Sequence, residues 1–427
     1  MLWLLRSHRH LSKVAQQSRS FSFTPNPRLL RSPARQSPRI GHTKRPSPEH
    51  VTQTAETKFF SEQVNPPSAR NQILFFTFGS LFVFGVAARE TNNDTYYWTK
   101  RFSDSSVVWS FRSPTNGEMM RARHMELGKT LQSGVRRLQD SLSGWSESIR
   151  NTVTYTYAQV AQAYLDVSEG KRMCYNIAAI NGAVWVAWQI PQLQKFMMRS
   201  FTHSPLSGLS YTMLTSTFSH HSIFHLLFNT IAMTGFGSSA AYYLSQRQED
   251  ANDLRESTGQ WHFLAFFVSA GLFSSLVSHF VAARFTYPRL LMSLTRAAKS
   301  SSPASKSVST TSHSAAMASV ENISSVIKPS LGSSGAIYAA VTLTAMAFPE
   351  SHVKLIFPPT PDIPIQYGVF GLMALDVLGV LRGWKLFDHY AHLGGACFGL
   401  WYYSYGPQVW ESFRELTLGG LPRSLRE

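Results

Sequence analysis

Apolar residues gather into seven runs along this chain, at 72–88, 173–190, 223–244, 261–283, 331–348, 365–381 and 390–405. A hydrocarbon layer about 30 Å thick is crossed by roughly 20 apolar residues in a helix, with a range of about 17 to 25. Each run meets or approaches that length. About eighty polar residues separate the first run from the rest, and the last six follow one another closely. The pattern predicts an all-α polytopic membrane protein with a six-helix core and one extra N-terminal transmembrane helix, a 1+6 arrangement. Shorter runs of this kind also suit buried helices of a soluble core, but six in succession with so few internal charges are hard to fit there. The Gly, Ser, His and Asn within them have a natural place at helix–helix contacts in lipid.

Composition sharpens the picture. Hydrophobic residues make up 44% of the 427 and charged residues 15%, a low charged share for a soluble protein of this size. Cys174 and Cys397 both lie in apolar runs, so neither a disulfide framework nor a zinc-ligand spacing is present in the sequence, and no metal or cofactor is expected. The net charge of +16 would suggest nucleic acid, yet its distribution argues otherwise. The first 48 residues hold ten Lys or Arg and no acidic residue. Such a segment, rich in Arg and Ser, looks like a mitochondrial transit peptide. "MLWLLRSHRHLSKVA" can form a short helix with Leu2, Leu4, Leu5, Leu11 and Val14 towards one side, and Arg6 and Arg9 interrupt what would otherwise be a secretory signal. "RSFS" at 19–22 favours a cut after Phe21.

The expected organisation is therefore a presequence and disordered basic, Pro-rich linker over 1–70, the extra helix at 72–88 and a polar, partly helical connection over 89–170. The six-helix domain follows over 171–406, with a Ser-rich loop insert at about 293–328, and a tail over 407–427.

Strongly polar side chains inside membrane helices are costly, which makes each a functional candidate. "FSHHSIFHLLFN" places His220, His221, His225 and Asn229 at the start of the second core helix, with His225 and Asn229 on one face. The fourth core helix opens with Gly332-Ser333-Ser334-Gly335, and Tyr338 lies one turn beyond Ser334. The sixth opens with "DHYAHLGGACFG", carrying Asp388, His389 and His392. Ala391, Gly395 and Gly399 recur every fourth residue and would let another helix backbone approach closely, as would Gly332 and Gly335. If those helices pack through these surfaces, a serine meets a histidine just below one membrane face. Imidazole suits the task of accepting the serine proton. His225, Asn229 and the N–H groups at the helix start could then receive an oxyanion. The G-x-S-x-G elbow of another hydrolase class is excluded because residue 336 is Ala.

At these residues the chain resembles the rhomboid intramembrane serine proteases, whose pattern is a His and Asn pair, GxSG, and AHxxGxxxG on three separate helices. "EGKRMCYNIAAINGAVW", "STFSHHSIFHLLFN", "PSLGSSGAIYA" and "GWKLFDHYAHLGGACFGLWY" look like the mitochondrial presenilin-associated rhomboid-like branch. The likeness spans roughly 169–406. It implies Ser334 as nucleophile and His392 as general base and acid, and His225, Asn229 and the Ser334 N–H as oxyanion site, with His220 beside them. It also implies Tyr338 packed on the imidazole. No third acid is implied, which leaves Asp376 and Asp388 as structural residues and His221 and His389 without a role. The implied partners are transmembrane protein substrates in the mitochondrial inner membrane, a dynamin-like GTPase among them, and the lipid bilayer. The Trp-Arg signature of the first loop in many relatives is absent, and the Ser-rich insert is an addition; both bear on substrate access.

Two other classes compete. An inactive rhomboid-like protein that binds membrane helices would lack the serine or the histidine, and both are here. A transporter would show paired charges or inverted repeats in the membrane, and neither is found. Loop charge sets the expected orientation. The loop at 245–260 has Glu249, Asp250, Asp253 and Glu256 against two arginines, whereas 284–328 has six basic residues against Glu321 alone. These signs place the N-terminus in the matrix and, after seven spans, the C-terminus in the intermembrane space.

Overall fold

The computed structural model describes residues 67–105, 112–250, 254–300, 326–354, 360–384 and 387–419. The expected presequence with its cut after Phe21, and most of the Ser-rich insert, lie outside the described residues. What is described is mostly helical. Helix α1 spans Arg70–Ser103, α2 Asn116–Ser141, α3 Glu147–Asp166 and α4 Glu169–Gln189. Two short helices, α5 (Gln194–Ser200) and α6 (Thr212–Thr217), lie in the following loop. Next come α7 (Ile223–Ala232), α8 (Ser238–Asp250), α9 (Gln260–Val281) and α10 (Tyr287–Ser300). Then α11 (Ser334–Ala347), α12 (Ile365–Arg382) and α13 (His389–Thr417) close the order. Strands β1 (His352–Val353) and β2 (Ile363–Pro364) form one antiparallel pair, His352 opposite Pro364.

The helices depart from the hydropathy runs for readable reasons. Run 223–244 becomes two helices joined by a π turn, Met233–Gly237, where the sequence MTGFG offers two glycines. The Cβ that Gly237 lacks would lie 2.9 Å from Cys174 Sγ and 3.2 Å from the Phe263 ring, so the wide turn also brings α4 and α9 close. Helix α1 continues past residue 88 because its polar second half has partners: Asn92 and Thr95 are fully buried. Helix α13 runs through Pro407 to Thr417, so the first half of the expected tail is helical. The connection at 89–170 carries the α2–α3 hairpin, and α2 opens on a capping box in which Thr115 and Glu118 satisfy each other's backbone N–H.

Helix α9 is the hub, with Phe263, Phe266, Phe267, Ala265 and Ala270 all buried. Helices α1, α11 and α13 pack against it, and α11 packs along α13. Helix α11 is buried at ten of its fourteen positions, which explains how so short an apolar helix is tolerated: its neighbours rather than solvent or lipid surround it. The outward surfaces are apolar instead. Phe82 on α1 is 70% exposed and Tyr367 and Leu381 on α12 are 73% and 77% exposed, far larger apolar exposure than a water-facing surface carries comfortably. By length and composition α1, the stretch Gln260–Arg296 and α12 are able to cross a membrane.

At the end of the molecule away from Ser334 and His392, polar groups lock α1 to α13. Arg414 is fully buried; its Nε donates to Asn92 Oδ1 at 2.5 Å and its Nη2 to the Arg255 carbonyl at 2.6 Å, with Glu256 Oε2 3.5 Å from Nη1. Removing one partner of a buried ion pair leaves an uncompensated charge and costs roughly 3–5 kcal/mol. Glu256→Ala is therefore expected to lower stability by about 3 kcal/mol, the low end of that range, because Glu411 also acts on Arg414 electrostatically. Thermal unfolding in detergent micelles reads this. Pairing Glu256→Leu with Arg414→Met is expected to recover most of the loss.

Candidate active site

The GSSG motif is built from the backbone outward. Ser330 pairs with His203 through two 2.9 Å bonds, each residue's N–H donating to the other's carbonyl, and the Gly332 N–H donates to the Ser216 carbonyl at 2.9 Å. This clamps the strand-like approach to α11. Gly332 has φ +128°, a conformation that side-chain-bearing residues rarely adopt, and a Cβ there would lie 2.7 Å from the His225 ring. The glycine is needed twice over. Ser333 occupies the N-cap position of α11, fully buried, with its Oγ 3.2 Å from His220 Nε2, which also accepts the Ser333 N–H at 3.4 Å. Ser334 is the first residue of the helix, and its Oγ lies 2.9 Å from His392 Nε2. The two adjacent serines thus face different histidines.

Helix α13 presents His392 by a similar construction. Asp388 caps the helix, accepting the Ala391 N–H at 3.1 Å and the Ser278 hydroxyl at 2.7 Å. Ser274 donates to the Ala391 carbonyl at 2.7 Å, so two serines of α9 hold the first turn of α13 in place. Small residues then bring α11 and α13 to backbone contact. A Cβ on Gly395 would sit 2.0 Å from the Gly335 carbonyl oxygen, and one on Gly399 would sit 2.4 Å from that of Ala339. Gly335 itself faces Ser274 Oγ, where a Cβ would sit 2.1 Å away.

The remaining candidates gather nearby. The Tyr338 ring stacks on His392 with centroids 4.6 Å apart and planes within 10°. The His225 ring lies 5.0 Å from that of His220 and against Gly332, and Asn229, buried on α7, gives one amide N–H to the His225 carbonyl at 2.8 Å. A cavity of about 30 Å³ opens beside Ser334, lined also by Ser216, Ser274, Ser330 and Asp388. That exceeds the ~10–15 Å³ of such volume that one water needs.

Residues 207–407 match the sequence model of a family described as the rhomboid domain. This region is a rhomboid domain. The chain is also 31% identical to the human "Presenilin-associated rhomboid-like protein, mitochondrial", over 68% of its own length and 63% of the human protein's. It is 26% identical to "Rhomboid protein 1, mitochondrial" of Saccharomyces cerevisiae, over 58% of this chain and 57% of that one. "RHOMBOID-like protein 12, mitochondrial" of Arabidopsis thaliana is 28% identical over 52% and 54%. The chain thus spans rather less than two thirds of the length of these relatives.

Two residues of the rhomboid domain stand differently from the sequence expectation. His220 turns to Ser333, not to Ser334, which places it in the clamp on the approach to α11. Asp376, expected to be structural, lies against His392: its Oδ1 is 3.2 Å from His392 Nδ1 and 2.6 Å from His389 Nδ1, and its Oδ2 accepts the Tyr338 hydroxyl at 2.5 Å. His389, to which no role fell, joins the same carboxylate. The available signal was Asp376 itself, the one acidic residue in the run 365–381. Asp388 does cap a helix, and His221 packs edge-on against Trp188 at 5.5 Å.

The seam between α11 and α13 makes a direct test. Gly395→Ala must separate two backbones that already touch, moving His392 away from Ser334. Labelling of the purified protein by a fluorophosphonate probe is expected to fall at least tenfold, with helical content by circular dichroism unchanged.

Proposed function

We propose that this protein is an intramembrane serine endopeptidase of the mitochondrial inner membrane that cuts peptide bonds in or near the transmembrane segments of other membrane proteins. The observation that carries the reading is the 2.9 Å contact between Ser334 Oγ and His392 Nε2, two residues 58 positions apart that meet only because α11 and α13 touch. The mitochondrial location rests on the names of the relatives and on the basic, acid-free first 48 residues.

In this reading His392 Nε2 accepts the Ser334 hydroxyl proton as Oγ attacks the scissile carbonyl carbon. The carbonyl oxygen takes up the negative charge and is received by the Ser334 N–H, with His225 and Asn229 beside it. Collapse of the tetrahedral intermediate passes the proton from His392 to the leaving amine and leaves an ester on Ser334. Water, for which the adjoining cavity has room, then gives a proton to His392 and its oxygen to the acyl carbon, releasing the new carboxyl end and restoring the serine. Tyr338 keeps the imidazole plane aligned with Oγ. Helices α4, α7 with α8, α9, α11, α12 and α13 form the six-helix core, and α1 is the added span. The substrates are membrane-anchored proteins, and the resemblance points to a dynamin-like GTPase as one of them.

Cleavage of a model transmembrane segment by the protein reconstituted in vesicles tests the chemistry. Ser334→Ala and His392→Ala are expected to fall to background, whereas Ser333→Ala retains most activity because its hydroxyl faces His220. Loss of one oxyanion donor typically costs about 10²–10³ in rate, so Asn229→Ala and His225→Ala are expected in that range. Full activity in Ser334→Ala would overturn the assignment.

The orientation proposed is N-terminus in the matrix and C-terminus in the intermembrane space. The start of α1 lies on the catalytic side, since His279 Nε2 contacts the Ser68 carbonyl at 3.2 Å and His203, paired with Ser330, is 3.0 Å from His279 Nδ1. The cleft then opens nearer the matrix. A C-terminal tag is expected to become protease-sensitive once the outer membrane is ruptured; a tag that stays protected reverses the scheme.

A further inference from the structure

We propose that Asp376 is the positioning residue of His392, so that the site works as a chain from Ser334 through His392 to Asp376 instead of a serine–histidine pair; this rests on the protease reading above. Asp376 lies on α12, a helix that buries only Ile365, Val369, Asp376 and Gly379. Its side chain is 6% exposed, and a buried carboxylate is costly unless donors surround it. Three do. Oδ1 receives His389 Nδ1 at 2.6 Å and His392 Nδ1 at 3.2 Å, and Oδ2 receives the Tyr338 hydroxyl at 2.5 Å.

The proton count fixes the tautomer. A carboxylate has no proton to give, so both histidines must carry theirs on Nδ1. A neutral His392 with Nδ1–H has its lone pair on Nε2, the nitrogen 2.9 Å from Ser334 Oγ. That is the only neutral tautomer able to take the serine proton. When it does, the imidazolium lies between the developing oxyanion and the Asp376 carboxylate, and Nδ1 keeps its proton throughout. Among the described residues, the titratable groups around the ring are Ser334 and Tyr338 on α11, Asp376 on α12, His389 on its own helix and His225 on α7. Asp376 is the only carboxylate among them.

His389 and Tyr338 complete the arrangement by fixing the carboxylate. A Cβ on Gly379 would lie 2.4 Å from the His389 ring, so the absence of a side chain there is what lets His389 reach Asp376. Had Asp376 served only to dock α12, the bonds to His389 and Tyr338 would suffice, and His392 Nδ1 would have no reason to share Oδ1.

Removing the orienting carboxylate from a serine–histidine–aspartate triad costs about 10⁴ in kcat. Here the bond to His392 is long and its acceptor is shared, so a smaller loss of about 10² is expected. The test is steady-state cleavage of the model transmembrane segment by the full chain in vesicles, normalised to active sites titrated with a fluorophosphonate. Asp376→Asn is expected to leave KM unchanged, to lower kcat about 10²-fold and to move the acid limb of the kcat/KM profile to lower pH, with Asp376→Glu recovering at least tenfold. An Asp376→Asn enzyme with the wild-type kcat and pH profile per titrated site overturns the proposal. Should that variant fail to fold, Tyr338→Phe keeps the stacked ring and removes only the bond to Oδ2. A several-fold fall in its kcat at constant KM supports the proposal, and wild-type kcat in both Tyr338→Phe and His389→Gln overturns it. Absence of cleavage by the wild type, or its persistence in Ser334→Ala, sinks the protease reading itself and is thus told apart.

Discussion

The whole arrangement depends on two helix backbones touching. Between α11 and α13 the carbonyls of Gly335 and Ala339 lie where the side chains of residues 395 and 399 would otherwise be. Helices in lipid gain little from burying apolar side chains against one another, since the tails are equally apolar, and close backbone approach becomes the means of association. That approach also sets the reach of the chemistry. A serine has a one-carbon side chain, and a histidine on a neighbouring helix meets it only if the two axes are drawn together. The glycines are as necessary to the Ser334–His392 contact as either residue in it.

Polar groups then fix what small residues permit. Ser274 and Ser278 of α9 anchor the first turn of α13 through the Ala391 carbonyl and Asp388, while Ser216 and His203 hold the chain entering α11. Each uses a short, stiff side chain or the backbone itself, which loses little conformational entropy when ordered. At the opposite end, Arg414 reaches Asn92, Arg255 and Glu256 and joins α1 to α13 through the loop before α9. Helix α1 is therefore tied to the rest of the structure at both ends, since the residue Ser68 just before it also touches His279.

Much of this was legible in the sequence. The seven runs correspond to the helices that make up the body, and the GSSG and AHLGGACFG segments identify which helices must touch. The preference for Ser334 over Ser333 and the placing of Tyr338 on the imidazole come from the family resemblance, with Tyr338 one helical turn beyond Ser334. What stayed hidden depended on distant partners. The helical continuation of α1 beyond residue 88 follows from Asn92 and Thr95 finding buried partners more than 150 residues away, which no local pattern encodes. The π turn at 233–237 answers to Cys174 and Phe263 on other helices. His220 shared its sequence signal with His225, and only the fold shows that one faces Ser333 and the other Gly332. Asp376 carries a signal of its own, an acid within an apolar run, but the family resemblance implies no third acid.

Helix α12 shows what that acid does in the fold. It is open along most of its surface, with Tyr367, Phe370, Val377 and Leu381 all turned outward. An apolar face of that kind gives it no preference for α11 and α13 over lipid. Its inward contacts are Ile365 and Val369 in the core, the Asp376 carboxylate meeting Tyr338, His389 and His392, and the bare backbone of Gly379 beneath the His389 ring. The polar contacts that hold the middle of α12 in place are the same ones that surround the His392 ring. A helix docked in this way cannot move off without releasing the carboxylate from the imidazole, so the position of α12 and the electrostatic setting of His392 are physically one variable.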